Sequence, residues 1–292
     1  MQVELLLVPY DSARRGERLG AGPEHLLAGG LGAELARAGH PVVRTVLVEP
    51  PPGWVAEIRT AFGLISALAV AVRTARAAGH FPLVLAGNCN TCVGTVAGLG
   101  GGGRTGVLWF DAHGDFNTPE TTTSGFLDGM GLATLTGRCW NAMARAVPGF
   151  IPVPESAACL LGARDIDPLE ADEIARSELR TLAPARIASD LPAVLGAMRA
   201  QVTRAYLHLD LDVLDPGEGR ANELAVDGGL SLPALQQAIG DIGRALPIEA
   251  AAITAYDPAF DGDGRIRAAA IALAQTIVSA AARQPSQAPG LL

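Results

Sequence analysis

Short apolar runs of four to seven residues alternate along the whole chain with longer stretches of helical periodicity. This alternation allows few folds, because two parallel strands must be joined by a crossover of about a dozen residues, most simply a helix. Strands are expected at 3–8, 42–48, 82–86, 106–110, 158–161, 205–211 and 250–255. Helices are expected at 24–38, 55–78, 91–99, 168–178, 191–202, 232–246 and 268–282. Gly39 and Gly79 stand just past two of these helices, where glycine supplies the left-handed turn that ends them. The pattern predicts an α/β protein with a mostly parallel sheet and helices on both of its faces. No repeat, low-complexity block or Pro/Ser linker interrupts it, so residues 1–284 are expected to form one domain and 285–292 a disordered tail.

Hydrophobic residues make up 49% of the 292, enough for a large core, but aromatics are only 4%, so Ala, Leu and Val must fill it. With 22 basic and 30 acidic residues the net charge is −8, which argues against a nucleic-acid or anionic-membrane surface. The N-terminal MQVELLLVPY lacks a basic leader and a cleavage site, and reads as a strand. The longest apolar run, 62–72, falls short of the roughly 18 residues that span a bilayer. Four cysteines are too few for a disulfide framework in a chain this long. A cytoplasmic protein is the expectation.

Ligands in parallel sheets bind beyond the carboxyl ends of the strands. The clusters Ala86-Gly87-Asn88-Cys89-Asn90, Asp111-Ala112-His113-Gly114-Asp115 and Asp210-Leu211-Asp212 all fall at or just past predicted strand ends. Alternate side chains of an extended segment face one way, so Asp111, His113 and Asp115 are expected to converge on one point. A lone D-x-D is most often a cap or turn. Two such clusters in one chain instead imply a cation, since unpaired carboxylates at strand ends repel one another. An oxygen-rich set with one imidazole suits Mn²⁺ or a similar ion. Bridging carboxylates would hold two ions about 3.5 Å apart, a spacing that activates a hydroxide between them. His208, two residues before Asp210, is a candidate for supporting these groups or for simple burial.

The blocks DAHGDFNTPE, SGFLDGM, GARDIDPLE and HLDLDVLDP, in this order and spacing, resemble the ureohydrolase (arginase/agmatinase) superfamily from about residue 20 to 276. The resemblance implies a three-layer α/β/α fold, a dinuclear manganese site, hydrolysis of a guanidino C–N bond and a homo-oligomer, a trimer or hexamer. It further implies that Asp111 and Asp210 bridge both metals, that Asp115 binds the first ion, and that His113 and Asp212 bind the second. Asn117, Ser124 and Asp167 match positions that hold the amino-acid end of the substrate.

Three departures from the family pattern stand out. The first metal's histidine is replaced by Cys89, a ligand that brings one more negative charge and that also suits Zn²⁺, Ni²⁺ or Fe²⁺. The family's acid–base histidine falls on Asp128, which with His208 becomes the candidate catalytic pair. The glutamate that grips a substrate guanidinium falls on Ala255, removing a charge-assisted contact worth about 1.5–3 kcal/mol. Ordinary arginase or agmatinase activity is therefore not expected. The cysteine variant and the run GDFNTPETT are similar to the hydroxyarginine-hydrolysing branch, whose less basic substrate needs an anionic clamp less.

Two other readings compete. A metal-binding regulatory protein that has lost the chemistry would also explain Asp128 and Ala255. Cys89 and Cys92 form a C-x-x-C at a helix start, as in thiol oxidoreductases. Redox chemistry would need none of the five other ligands, whereas Cys92, Cys139 and Cys159 fit the core. His25, His40 and His80 lie outside every motif, and His40 and His80, each just after a helix-ending glycine, read as solvated or capping residues.

Overall fold

The computed structural model describes residues 1–283, so the tail expected over 285–292 lies outside the described residues. Its strands are β1 (Val3–Val8), a short hairpin of β2 (Tyr10–Asp11) and β3 (Arg14–Arg15), β4 (Val42–Leu47), β5 (Phe81–Ala86), β6 (Thr105–Phe110), β7 (Ala158–Leu161), β8 (Arg180–Leu182), β9 (Arg204–Asp210) and β10 (Ile248–Thr254). The helices are α1 (Gly22–Ala28), α2 (Leu31–Arg37), α3 (Glu57–Ala77), α4 (Cys92–Gly98), α5 (Gly131–Thr136), α6 (Asn141–Arg145), α7 (Pro168–Ala175), α8 (Pro184–Met198), α9 (Leu232–Ala245) and α10 (Arg265–Ala282).

Apart from the hairpin, the strands form one eight-stranded parallel sheet in the order β4-β1-β5-β10-β9-β6-β7-β8. After β5 the chain crosses to β6, and β9 and β10 later fill the gap between them. This puts the carboxyl ends of β5, β10, β9 and β6 side by side at the centre of the sheet, where a crevice opens. Every residue of β1, β5 and β6 is buried, as expected of strands covered on both faces. Each buried Leu or Val contributes roughly 1.5–3 kcal/mol of transfer free energy. The edge strand β4 exposes Arg44 and Thr45, which discourages further strand pairing.

The buried apolar side chains form one continuous cluster running from Val3 to Ala281. In α3 the buried residues Leu64, Ile65, Leu68, Ala69, Val72 and Ala75 follow the i, i+3, i+4 spacing of one helix face. Helix α4 packs closely on α3, because a β-carbon at Gly94 would lie 2.4 Å from the Ile65 carbonyl oxygen. That contact seats the start of α4 and the Cys89 turn before it. By length and composition α3 and α10 are apolar enough to cross a membrane, more than the run at 62–72 suggested, and half of each window is buried within the fold.

Several boundaries differ from the sequence expectation. The helix expected over 24–38 is two helices, broken where Gly30 takes φ +96°. The helix expected from 191 begins at Pro184, which tolerates a missing N–H at the first turn, and Pro192 lies inside it rather than near its start. The helix at 168–178 ends at Ala175. The hairpin of β2 and β3, the three-residue β8, α5 and α6 are too short to carry a period.

Candidate metal centre

Cys89 follows β5 and opens a 3-10 turn that leads into α4. Its sulfur lies 3.2 Å from Asp210 Oδ2 and 3.1 Å from Thr254 Oγ1. Asp111 follows β6, and Trp109 Nε1 donates to its Oδ2 at 2.9 Å while the His113 N–H donates to Oδ1 at 2.8 Å. Contrary to the expectation of an extended segment, this loop curls. Asp115 takes φ +48°, and its carbonyl accepts the N–H groups of Leu132 and Ala133 at the start of α5. Asp210 and Asp212 do not share a strand face. Asp210 ends β9, Asp212 lies in a 3-10 turn, and Asp210 Oδ1 accepts the Asp212 N–H at 2.9 Å. The two loops are joined by the Ala112 N–H donating to Asp212 Oδ1 at 3.2 Å.

His113 Nδ1 sits 3.3 Å from both Asp111 Oδ1 and Asp212 Oδ2. The four aspartates are almost fully buried. Burial pushes Asp111, Asp115 and Asp210 above the usual carboxylate range, and each is raised further by a neighbouring aspartate. Burial would raise Asp212 as well, but the charge and hydrogen bonds of His113 bring it below the usual range. His113 is drawn above its ordinary value by the Asp212 and Asp111 carboxylates, against the opposing effect of burial. Burial also pushes the Cys89 thiol well up. Asp115 Oδ2 is buried without a hydrogen-bond partner. Four buried carboxylates, one imidazole, one thiol and an orphaned oxygen form a donor set that suits divalent cations and is costly without them.

A cavity of about 450 Å³ opens over this cluster, lined by Cys89, His113, Asp115, Asp210 and Asp212 at its floor. Asn117, Ser124 and Asp167 also line the cavity, with Asn117 Nδ2 donating to Asp167 Oδ2 at 3.2 Å. Asp128 also lines the cavity, with Oδ1 accepting the Asn90 N–H and Oδ2 accepting Asn88 Nδ2, both at 2.9 Å. Burial pushes its carboxyl up to about 7, against the lowering effect of these two hydrogen bonds. Ala255 lies on the wall in the left-handed region at φ +59°, and its carbonyl accepts Asn222 Nδ2 at 2.9 Å.

His208 does not line the cavity. It is fully buried behind Cys89, stacked on Trp109 at 3.6 Å and 13°, and burial lowers it to about 3. Cys92, Cys139 and Cys159 are buried and unpaired, and no disulfide forms among the described residues. Among the other histidines, His80 pairs with the buried Glu4 at 3.0 Å and His40 contacts Ser279 at 3.1 Å.

Several supporting residues escaped the sequence reading. The Arg164 guanidinium, inside the motif GARDIDPLE, donates to the backbone carbonyls of Asp212 at 2.9 Å, Val226 at 2.8 Å and Gly162 at 3.1 Å. Glu170 Oε1 accepts the Phe116 N–H at 2.7 Å and tucks under the Asp111–Asp115 loop. A β-carbon at Gly114 would come within 2.4 Å of that oxygen. Asn222 links Asp212 to Ala255. The motif could have drawn attention to Arg164 and Glu170, but nothing local marks Asn222.

A sequence model described as the arginase family matches residues 1–281. An arginase of Bacillus caldovelox is 32% identical over 216 residues, covering 70% of this chain and 71% of that protein. An N(omega)-hydroxy-L-arginine amidinohydrolase of Streptomyces lavendulae is 39% identical over 145 residues, 49% of this chain and 47% of that protein. The solved arginase structure from Bacillus cereus superposes with a TM-score of 0.84 at 26% identity, over 95% of this chain and 98% of that one. A parallel α/β sheet with acidic loops gathered at its central strand ends defines the ureohydrolase class. The chain belongs to the arginase family, whose members are hydrolases of C–N bonds in linear amidines and generally depend on a dinuclear metal centre.

Proposed function

We propose that this chain is a two-metal hydrolase that cleaves a C–N bond in a hydroxyguanidine-like substrate, Nω-hydroxyarginine being the leading case. The observation that carries the reading is the convergence of five donor residues on the floor of one cavity, with Asp111 buried just beneath them, and a wall that presents Ala255 rather than an anion. Asp111, Asp115, Asp210 and Cys89 would hold one ion, and His113, Asp212, Asp111 and Asp210 the other. Mn²⁺ is the simplest occupant, although the thiolate also suits Zn²⁺, Ni²⁺ or Fe²⁺. When bound, the pair supplies an activated water and charge stabilisation.

The protein supplies the rest. Asn117, Ser124 and Asp167 bind the amino-acid end of the substrate and orient the reacting carbon over the floor. Asp128, whose carboxyl is raised by burial, would carry a proton and deliver it to the leaving nitrogen, with the bound ions drawing its value down from that of the metal-free protein. Without a carboxylate at 255 the wall favours a weakly basic, largely neutral group over a full guanidinium. By family likeness the enzyme assembles as a trimer or hexamer, which light scattering at micromolar concentration would test.

Metal content after dialysis should approach two equivalents per chain. On the loaded enzyme, kcat/KM for Nω-hydroxyarginine should exceed that for arginine and agmatine. Faster turnover of either cationic substrate refutes the substrate assignment. Two tightly bound metals with no turnover of any amidine would favour the regulatory reading.

A further inference from the structure

We propose that His208 is itself a ligand of the ion held by Cys89, supplying from beneath the sheet edge the imidazole that position 89 lacks. This rests on the two-metal reading above. Ligand atoms of Cys89, Asp111 and His208 all lie within 4.8 Å of one another, and all three residues are buried. Donors around a tetrahedral ion with sulfur and nitrogen ligands stand roughly 3.3–3.8 Å apart, so a small inward closure completes the set.

The ring is held as a ligating imidazole needs to be. His208 Nδ1 is 2.8 Å from the Tyr206 hydroxyl, which fixes the far nitrogen and leaves Nε2 to bind. Nε2 lies 3.3 Å from Thr254 Oγ1, and that same oxygen is 3.1 Å from Cys89 Sγ, so sulfur and nitrogen flank one hydroxyl. Thr254 can give its single proton to the Leu209 carbonyl, 3.3 Å away, and does not need Nε2 as an acceptor. Trp109 fixes two of the three donors at once, stacking on the His208 ring and donating to Asp111 Oδ2. The short cysteine side chain leaves room for the ring. An imidazole also adds a bond without adding to the negative charge of the floor.

The test loads the full-length protein with Co²⁺ alone. The wild-type spectrum should show a sulfur-to-cobalt charge-transfer band that requires Cys89. It should also show two hyperfine-shifted, exchangeable imidazole N–H resonances, one from His113 and one from His208. His208→Gln should lose one resonance and weaken the cysteine-bound Co²⁺ by more than 100-fold, beyond the usual effect of an outer-shell partner. The wild-type resonance count decides the matter even if the variant does not fold. A charge-transfer band with only the His113 resonance overturns this assignment and leaves the metal reading intact. Failure to bind Co²⁺ at all overturns both.

Discussion

Asn88 Nδ2 donates to Asp128 Oδ2 at 2.9 Å, and the same amide group reaches Asp11 Oδ1 at 3.3 Å. The residue beside Cys89 therefore also holds the carboxyl proposed to carry the proton. Because burial raises Asp128 to about 7, from about 3.9 for a free side chain, its protonated form is favoured in the folded protein. Its contribution to the stability of the metal-free protein is full below about pH 4 and is lost as pH rises through about 7. Thermal melts of the metal-free protein across that window should show a falling Tm, and Asp128→Asn should flatten the fall. In the loaded enzyme Asp128→Asn should lower kcat by 10²–10⁴-fold and leave KM nearly unchanged. Unchanged kcat would remove Asp128 from proton transfer.

Metal removal should be read first at Cys89. The residue is buried at the floor of the cavity and burial raises its thiol, so the free protein should react slowly. Alkylation is expected to be slow in the loaded protein and faster after chelation, because chelation frees the sulfur and leaves the crowded carboxylates to repel one another. Chelation should also lower Tm, since ions that bind only the native state stabilise it by mass action. Equal alkylation rates in both states would remove Cys89 from the ligand set.

Arg164 closes the turn that carries Asp212, through its contacts with the carbonyls of Asp212, Val226 and Gly162. Arg164→Ala leaves those carbonyls without a charged donor and should cost about 1–3 kcal/mol by urea denaturation. Affinity for one of the two ions should fall about 10–100-fold in a calorimetric titration. Arg164→Lys should recover little of either, because a single ammonium cannot reproduce the planar fork. Full metal affinity in Arg164→Ala would show that Asp212 is held adequately by its own hydrogen bonds.

The sheet is legible because β5 and β6 are nearly unbroken apolar runs and β1 and β9 are largely apolar, with Glu4 and His208 as the interior exceptions. The meeting of Cys89, Asp111 and Asp210 at one place follows from a strand order in which β9 and β10 fill the gap between β5 and β6; their positions at predicted strand ends point to a shared edge of the sheet, but the strand order itself is not legible in the sequence. Alternation along a strand was the expected device, whereas positive φ at Asp115 and a 3-10 turn after Asp210 are the actual ones. Both are local backbone choices stabilised by partners distant in sequence, α5 for Asp115 and Ala112 for Asp212. Arg164 acts through backbone carbonyls, and Asn222 through the Ala255 carbonyl and the Asp212 carboxylate, contacts that leave no pattern in side-chain spacing. The break at Gly30 leaves no mark in the hydrophobic pattern, because apolar residues on both sides keep helical spacing across it.

Ala255 offers the sharpest test of substrate choice. Its backbone is already set by the Gly87 carbonyl, which accepts its N–H at 3.2 Å, and by Asn222, which holds its carbonyl at 2.9 Å. A longer side chain there would extend from a fixed point on the cavity wall. Ala255→Glu places a carboxylate where a cationic substrate group would sit, adding a charge-assisted contact worth about 1.5–3 kcal/mol. That corresponds to roughly a 10–150-fold gain in kcat/KM for arginine or agmatine relative to Nω-hydroxyarginine. The new anion also joins a floor already crowded with carboxylates, so part of the gain should appear only when both metals are bound. Assays of wild type and variant at matched metal content, with all three substrates, provide the comparison. A variant that binds two metals and turns over Nω-hydroxyarginine, yet shows no relative gain on either cationic substrate, would mean that position 255 does not face the reacting group. Specificity would then have to come from Asn117, Ser124 and Asp167.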